Sequence, residues 1–89
     1  MKYLIIDLSK FKDMKALHRY LAKGLDFPDY YGNNLDALAD CLDEVEGDMT
    51  LVLMNVDAMD SWSGGKKEAF LGVLENASRE NPNIAIKTL

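Results

Sequence analysis

Met49-Thr50-Leu51-Val52-Leu53-Met54, set off by Gly47-Asp48 on its N-terminal side, is the strongest strand signal in the chain. Its near-continuous apolar character is that of a buried strand. Downstream, a polar stretch with Gly64-Gly65 leads into a helix from about Lys66, with Ala69, Phe70, Val73, Leu74 and Ala77 on one face. Asn81-Pro82-Asn83 ends that helix, and Ile84-Ala85-Ile86 reads as a closing strand. Upstream, Tyr3-Leu4-Ile5-Ile6 is another short, partly β-branched run and reads as a buried strand. Asp13 caps a helix with Met14, Leu17, Tyr20 and Leu21 on one face. Lys12, Lys15, Arg19 and Lys23 fall mostly on its other side, and Gly24 stops it. The loop Asp26-Phe27-Pro28-Asp29-Tyr30-Tyr31-Gly32-Asn33 follows, and Asn34 caps a second helix running to about Val45. Apolar strands separated by helices need crossover connections and hence a parallel sheet. The expected class is α/β, a small layer fold with right-handed crossovers, in a single domain over residues 1–89.

Composition narrows the function classes. With 48% hydrophobic and 28% charged residues the 89-residue chain has the balance of a globular domain, not of a disordered one. Cys41 is the only cysteine and His18 the only histidine, which excludes an internal disulfide and a four-ligand zinc site. A lone thiol fits a reducing compartment, so a cytoplasmic location is expected. No run approaches the length of a signal peptide core or a membrane span, so no membrane association is expected. The net charge of −5 hides a sharper pattern: Gly24 to Gly65 holds ten carboxylates and no lysine or arginine. That segment carries −10, and the rest of the chain +5. Such a field argues against nucleic-acid binding, which needs cations to displace phosphate counterions. A basic partner is its natural complement.

The second helix carries the charge. At about 100° per residue, Asp36, Asp40, Asp43, Glu44 and Glu46 fall on one arc. Leu35, Leu38, Cys41, Leu42 and Val45 fall on the opposite one. No cation on this helix offsets the acids, and like charges one turn apart repel by a few tenths of a kcal/mol. A helix arranged for stability alone would place lysines among them. Paired carboxylates serve hydrolysis only in a cleft with one raised pKa, which an exposed helix face does not supply. Calcium needs six to eight converging oxygens, whereas a convex helix fans its side chains apart. The expectation is therefore no catalysis, no metal and no cofactor, but recognition of a basic protein surface. Tyr30-Tyr31-Gly32 just before the helix adds rings of the kind enriched at interfaces. Tyr31 fits either a binding ring or one packed over the core. Gly64-Gly65 is read as a turn, and His18 sits among the polar residues of its helix. Cys41 lies at the edge of the apolar arc, Met14, Met49, Met54 and Met59 are core filler, and Trp62 is left open between packed and exposed.

Leu25 to Leu42, with its Pro-x-Tyr-Tyr-Gly-x-Asn-Leu-Asp-Ala-Leu-x-Asp-Cys-Leu core, resembles the barstar family of intracellular ribonuclease inhibitors. Leu17-His18 with Leu21, the strand Leu51-Val52-Leu53 and the C-terminal helix and strand continue the resemblance over nearly the whole chain. It implies a three-stranded parallel sheet packed by helices. It also implies a non-catalytic inhibitor, a free monomer that forms a 1:1 complex with a basic, extracellular-type ribonuclease. The second helix and its preceding loop would block the active site, with Asp40 in the place of a substrate phosphate. The partner-binding set is then Tyr30, Tyr31, Gly32, Asn34, Leu35, Asp36, Ala39, Asp40, Asp43, Glu44, Asn76 and Glu80. Ala39 stands where the family inhibitor has a tryptophan, a second tryptophan near Val45 is missing, and Asn76 replaces a glutamate. These departures touch the periphery of the implied interface and leave its anionic centre. The alternative from charge alone is an acidic adaptor for a basic partner that is not a nuclease.

Overall fold

A computed structural model describes residues 2–89. Its centre is the strand β2 (Met49–Met54), flanked in parallel by β1 (Lys2–Asp7) and β3 (Ile84–Thr88) in the order β1-β2-β3. The crossovers carry α1 (Met14–Gly24) and α2 (Leu35–Asp43) before β2. After β2 come a 3-10 turn at Val56–Ala58, α3 (Met59–Trp62) and α4 (Lys67–Glu80). The α/β reading with a three-stranded parallel sheet holds.

The helices cover one face of the sheet, and the topology explains why. Successive strands step the same way across the sheet, and right-handed crossovers that always step the same way lie on the same side. On that side Ile6, Leu51, Leu53 and Ile84 are buried, against Leu17 and Leu21 of α1, Leu38 and Leu42 of α2, and Phe70 and Leu74 of α4. Burying each such side chain stabilises the fold by about 1.5–3 kcal/mol. On the other side Tyr3 (63% exposed), Ile5 (55%), Ala85 and Lys87 face outward. Reading Tyr3-Leu4-Ile5-Ile6 as wholly buried is therefore corrected: only Ile6 of that run is fully enclosed.

Local chemistry sets the helix ends. Asp13 caps α1 by accepting from Ala16 N at 2.8 Å. Gly24 closes α1 against β1, where a Cβ would stand 2.7 Å from Leu4 Cδ1. Further expectations need correction. α2 ends at Asp43 rather than Val45, with Glu44 as its C-cap, so Glu46 lies beyond the helix. Gly47, at φ 79°, turns the chain toward β2. α3 lies in a stretch read as merely polar, and Ala69 points to solvent although its neighbour Phe70 is buried. Trp62 is half-buried and donates from Nε1 to Leu8 O at 2.8 Å. Met59 is fully buried, while Met14, Met49 and Met54 are partly so.

Candidate functional site

The loop before α2 is shaped by its own backbone chemistry. Tyr31 N donates to Pro28 O at 3.0 Å, and Asn33 takes up φ 53°, a left-handed geometry that asparagine tolerates well. Asn34 then caps α2: its Oδ1 accepts from Ala37 N at 2.8 Å and its Nδ2 donates to Gly32 O at 3.3 Å. Asn34 thus has a definite structural duty besides its exposure.

Tyr30 and Tyr31 part company. Tyr30 is 85% exposed, whereas Tyr31 is 8% exposed and belongs to the core. The Tyr31 hydroxyl lies 2.6 Å from His18 Nδ1, and its ring lies 4.9 Å from that of Phe27. Burial pushes the Tyr31 phenol up to about 12, with a contribution from Cys41. His18, expected among polar residues, is 3% exposed, and burial lowers its pKa. Of the expected binding set, Tyr31 is the residue whose ring is enclosed; it holds the loop from beneath while Tyr30 projects.

Along α2, Asp36, Ala39, Asp40 and Asp43 are exposed, as is the capping Glu44, and Leu35 is half-buried. The buried side of the helix is Leu38 and Leu42. Among the described residues both ion pairs belong to Lys67, which bridges to Asp57 at 3.0 Å and Asp60 at 3.4 Å. The α2 carboxylates therefore stand unneutralised. Asp36 gains from the positive end of the helix dipole, whereas Asp43 and Glu44 sit at the negative end and lose by it. A groove of about 210 Å³ runs between α2 and α4, where Ala39, Asp40 and Asp43 meet Asn76 and Glu80. The structure thus brings together residues separated by more than a strand and a helix in the chain. The Asn76 side-chain oxygen Oδ1 also accepts from the Arg79 guanidinium.

Asn81 is the residue that sequence reasoning missed. In the sequence it is only part of a helix stop, yet it is 5% exposed and reaches back across the fold. Its Nδ2 donates to Leu42 O at 2.9 Å and Val45 O at 3.1 Å, satisfying carbonyls at the end of α2. Its Oδ1 accepts from Asn83 N at 3.0 Å. Polar residues after a helix gave no signal of this.

Burial and the Asp40 and Glu44 carboxylates raise the Cys41 pKa, keeping it a thiol and a poor nucleophile. Among the described residues no group of three or more His, Cys, Asp or Glu side chains gathers into a metal site. No helix among them is long and apolar enough to cross a membrane.

The family model for Barstar (barnase inhibitor) matches residues 1–88. A protein of Bacillus subtilis (strain 168) named "Putative ribonuclease inhibitor YrdF" is 43% identical over 81 residues, covering 90% of this chain and 89% of that protein. A match across the full fold, with the capped acidic helix and its Tyr-Tyr-Gly approach in place, settles the family: the chain belongs to the barstar family of barnase inhibitors.

Proposed function

We propose that this chain inhibits a barnase-type ribonuclease by covering its basic active site with the outer face of α2 and the loop before it. Members of the family are inhibitors, not enzymes, and occlusion is the means this proposal gives the chain. The observation that carries the reading is the row of exposed carboxylates on α2, to which no cation is paired among the described residues. Self-repulsion within the row is a standing cost in the free protein that a basic partner converts into attraction. Asp40, mid-helix and one turn after Asp36, stands where a phosphate of the substrate would lie, and accepts charge-assisted hydrogen bonds from the enzyme's cationic side chains. Tyr30 and Leu35 provide contact beside it, and Gly32 and Asn34 hold the loop geometry. Tyr31 acts from within by fixing that loop. Ala39, Asp43, Glu44, Asn76 and Glu80 form the border of the face, where Ala39 in place of a tryptophan changes which ribonuclease fits best.

The test is titration of barnase, and of any basic ribonuclease captured on the immobilised protein, while RNA cleavage is followed. Loss of activity with an end point at one inhibitor per enzyme supports the proposal. Stoichiometric binding with undiminished cleavage would instead support an acidic adaptor.

A further inference from the structure

The acidic face has a cationic border. A groove of about 610 Å³ lies between the start of α1 and the start of α2. Met14 and Lys15 line it from α1, Leu35 and Asp36 from α2, and Lys66 from the residue that caps α4. Both lysines are exposed, and neither belongs to the ion pairs among the described residues, which are made by Lys67. Lys66 is the first cation after the long acidic segment, and Lys15 is brought to the same groove from another helix. Neither ammonium is within ion-pair distance of a carboxylate among the described residues, although Asp36 lines the same groove, and both weaken the negative field that would draw in a basic enzyme.

A row of like charges facing a basic cleft leaves the register poorly specified, because sliding by one turn re-forms similar pairs. A patch of opposite sign at one end removes that degeneracy, since the wrong register places like charges together. We propose, resting on the inhibitor reading above, that Lys15 and Lys66 form an anion-reading subsite of the same face, which receives a carboxylate-bearing loop bordering the ribonuclease's basic cleft. Met14 and Leu35 supply apolar contact for the stem of that side chain, and the two ammonium groups meet its head. The subsite fixes where along the cleft Asp40 comes to rest.

Charge reversal gives a test in which the two interpretations differ in sign. Lys15→Glu with Lys66→Glu makes an already acidic inhibitor more so. If the lysines are only solvated surface, association with the barnase-type ribonuclease that the wild type inhibits should be faster and dissociation unchanged. The subsite instead requires dissociation at least about tenfold faster, a loss of roughly 1.4 kcal/mol, with Lys15→Gln/Lys66→Gln in between. Thermal unfolding of each variant, matching the wild type, assigns the change to the interface. Unchanged or slower dissociation of the Glu variant overturns the subsite. Asp40→Ala in the same rate measurement separates the two levels: sensitivity there with none at the lysines overturns the subsite alone, whereas a wild type that inhibits no ribonuclease overturns both.

Discussion

Replacing Asn81 with alanine should destabilise the protein far more than its place after a helix suggests. The side chain is 5% exposed and makes three hydrogen bonds of 2.9–3.1 Å, to Leu42 O, Val45 O and Asn83 N. A net contribution of about 0.5–1.5 kcal/mol each would give about 1.5–4.5 kcal/mol. The carbonyls keep weaker partners, since Leu42 O still accepts from Val45 N at 3.2 Å and Val45 O from Asn83 Nδ2 at 3.3 Å. That narrows the expected loss to about 2–3 kcal/mol, a large share of the roughly 5–15 kcal/mol typical of a folded domain. At about 4–8 °C per kcal/mol, the melting temperature should fall by roughly 10–20 °C. Asn81→Asp supplies the sign. It is nearly isosteric but sets a carboxylate against the carbonyl end of α2, where the helix dipole is negative, so it should be worse than alanine at neutral pH. Urea unfolding of both variants measures this. A change within about 0.5 kcal/mol for Asn81→Ala, or an Asp variant no worse than the Ala one, would refute the cross-helix cap.

Stability should also depend on pH through His18. Burial lowers its folded pKa, so below about pH 6.5, where the unfolded imidazole takes up a proton and the folded one resists it, stability falls as pH falls. The groups around the ring are the Tyr31 hydroxyl and, along the groove it borders, Lys15, Asp36 and Lys66; His18→Gln should flatten the slope of unfolding free energy between about pH 7 and 5. Association with a basic ribonuclease should slow steeply as salt shortens the Debye length from about 30 Å at 0.01 M to 8 Å at 0.15 M, while dissociation changes far less. Stopped-flow rates that stay flat over that range would remove the acidic face as a guide to encounter.

Much of the fold is legible because the information is local. The apolar run at Met49–Met54, the caps Asp13 and Asn34 and the Asn81-Pro82-Asn83 break each announce an element by short-range chemistry. What sequence could not show depends on where elements land. Tyr3 and Ile5 look like core residues, yet the one-directional strand order leaves their side of the sheet uncovered. His18 looks polar beside Arg19 and is buried because a phenol thirteen residues on meets its ring nitrogen. Asn81 shows the same limit, since its partners lie on another helix. On α2, Asp36, Asp40 and Asp43 lie outward as the 100° spacing expects, because helix periodicity alone sets them. The same spacing puts Glu46 on that arc, whereas the helix stops at Asp43 with Glu44 as its cap and Glu46 lies beyond it. The meeting of Ala39 and Asp40 with Asn76 and Glu80 needed the packing of α2 on α4, which no periodicity in either helix encodes.

The central claim rests on Asp40, and its most direct test is inhibition by Asp40→Ala. In the complex its carboxylate should be dry and bonded to several cations, so truncation leaves them buried and unpaired at a cost of about 3–5 kcal/mol, or roughly 10²–10³-fold or more in affinity. The free fold should not suffer, because Asp40 is exposed, makes no ion pair among the described residues and repels its neighbours, and alanine is the better helix former. Asp43→Ala, at the end of α2, should cost much less. Asp40→Ala should melt at or above the wild-type temperature while losing most of its inhibition; a variant that inhibits as tightly as the wild type, or fails only because it unfolds, would exclude Asp40 as the centre of the inhibitory contact.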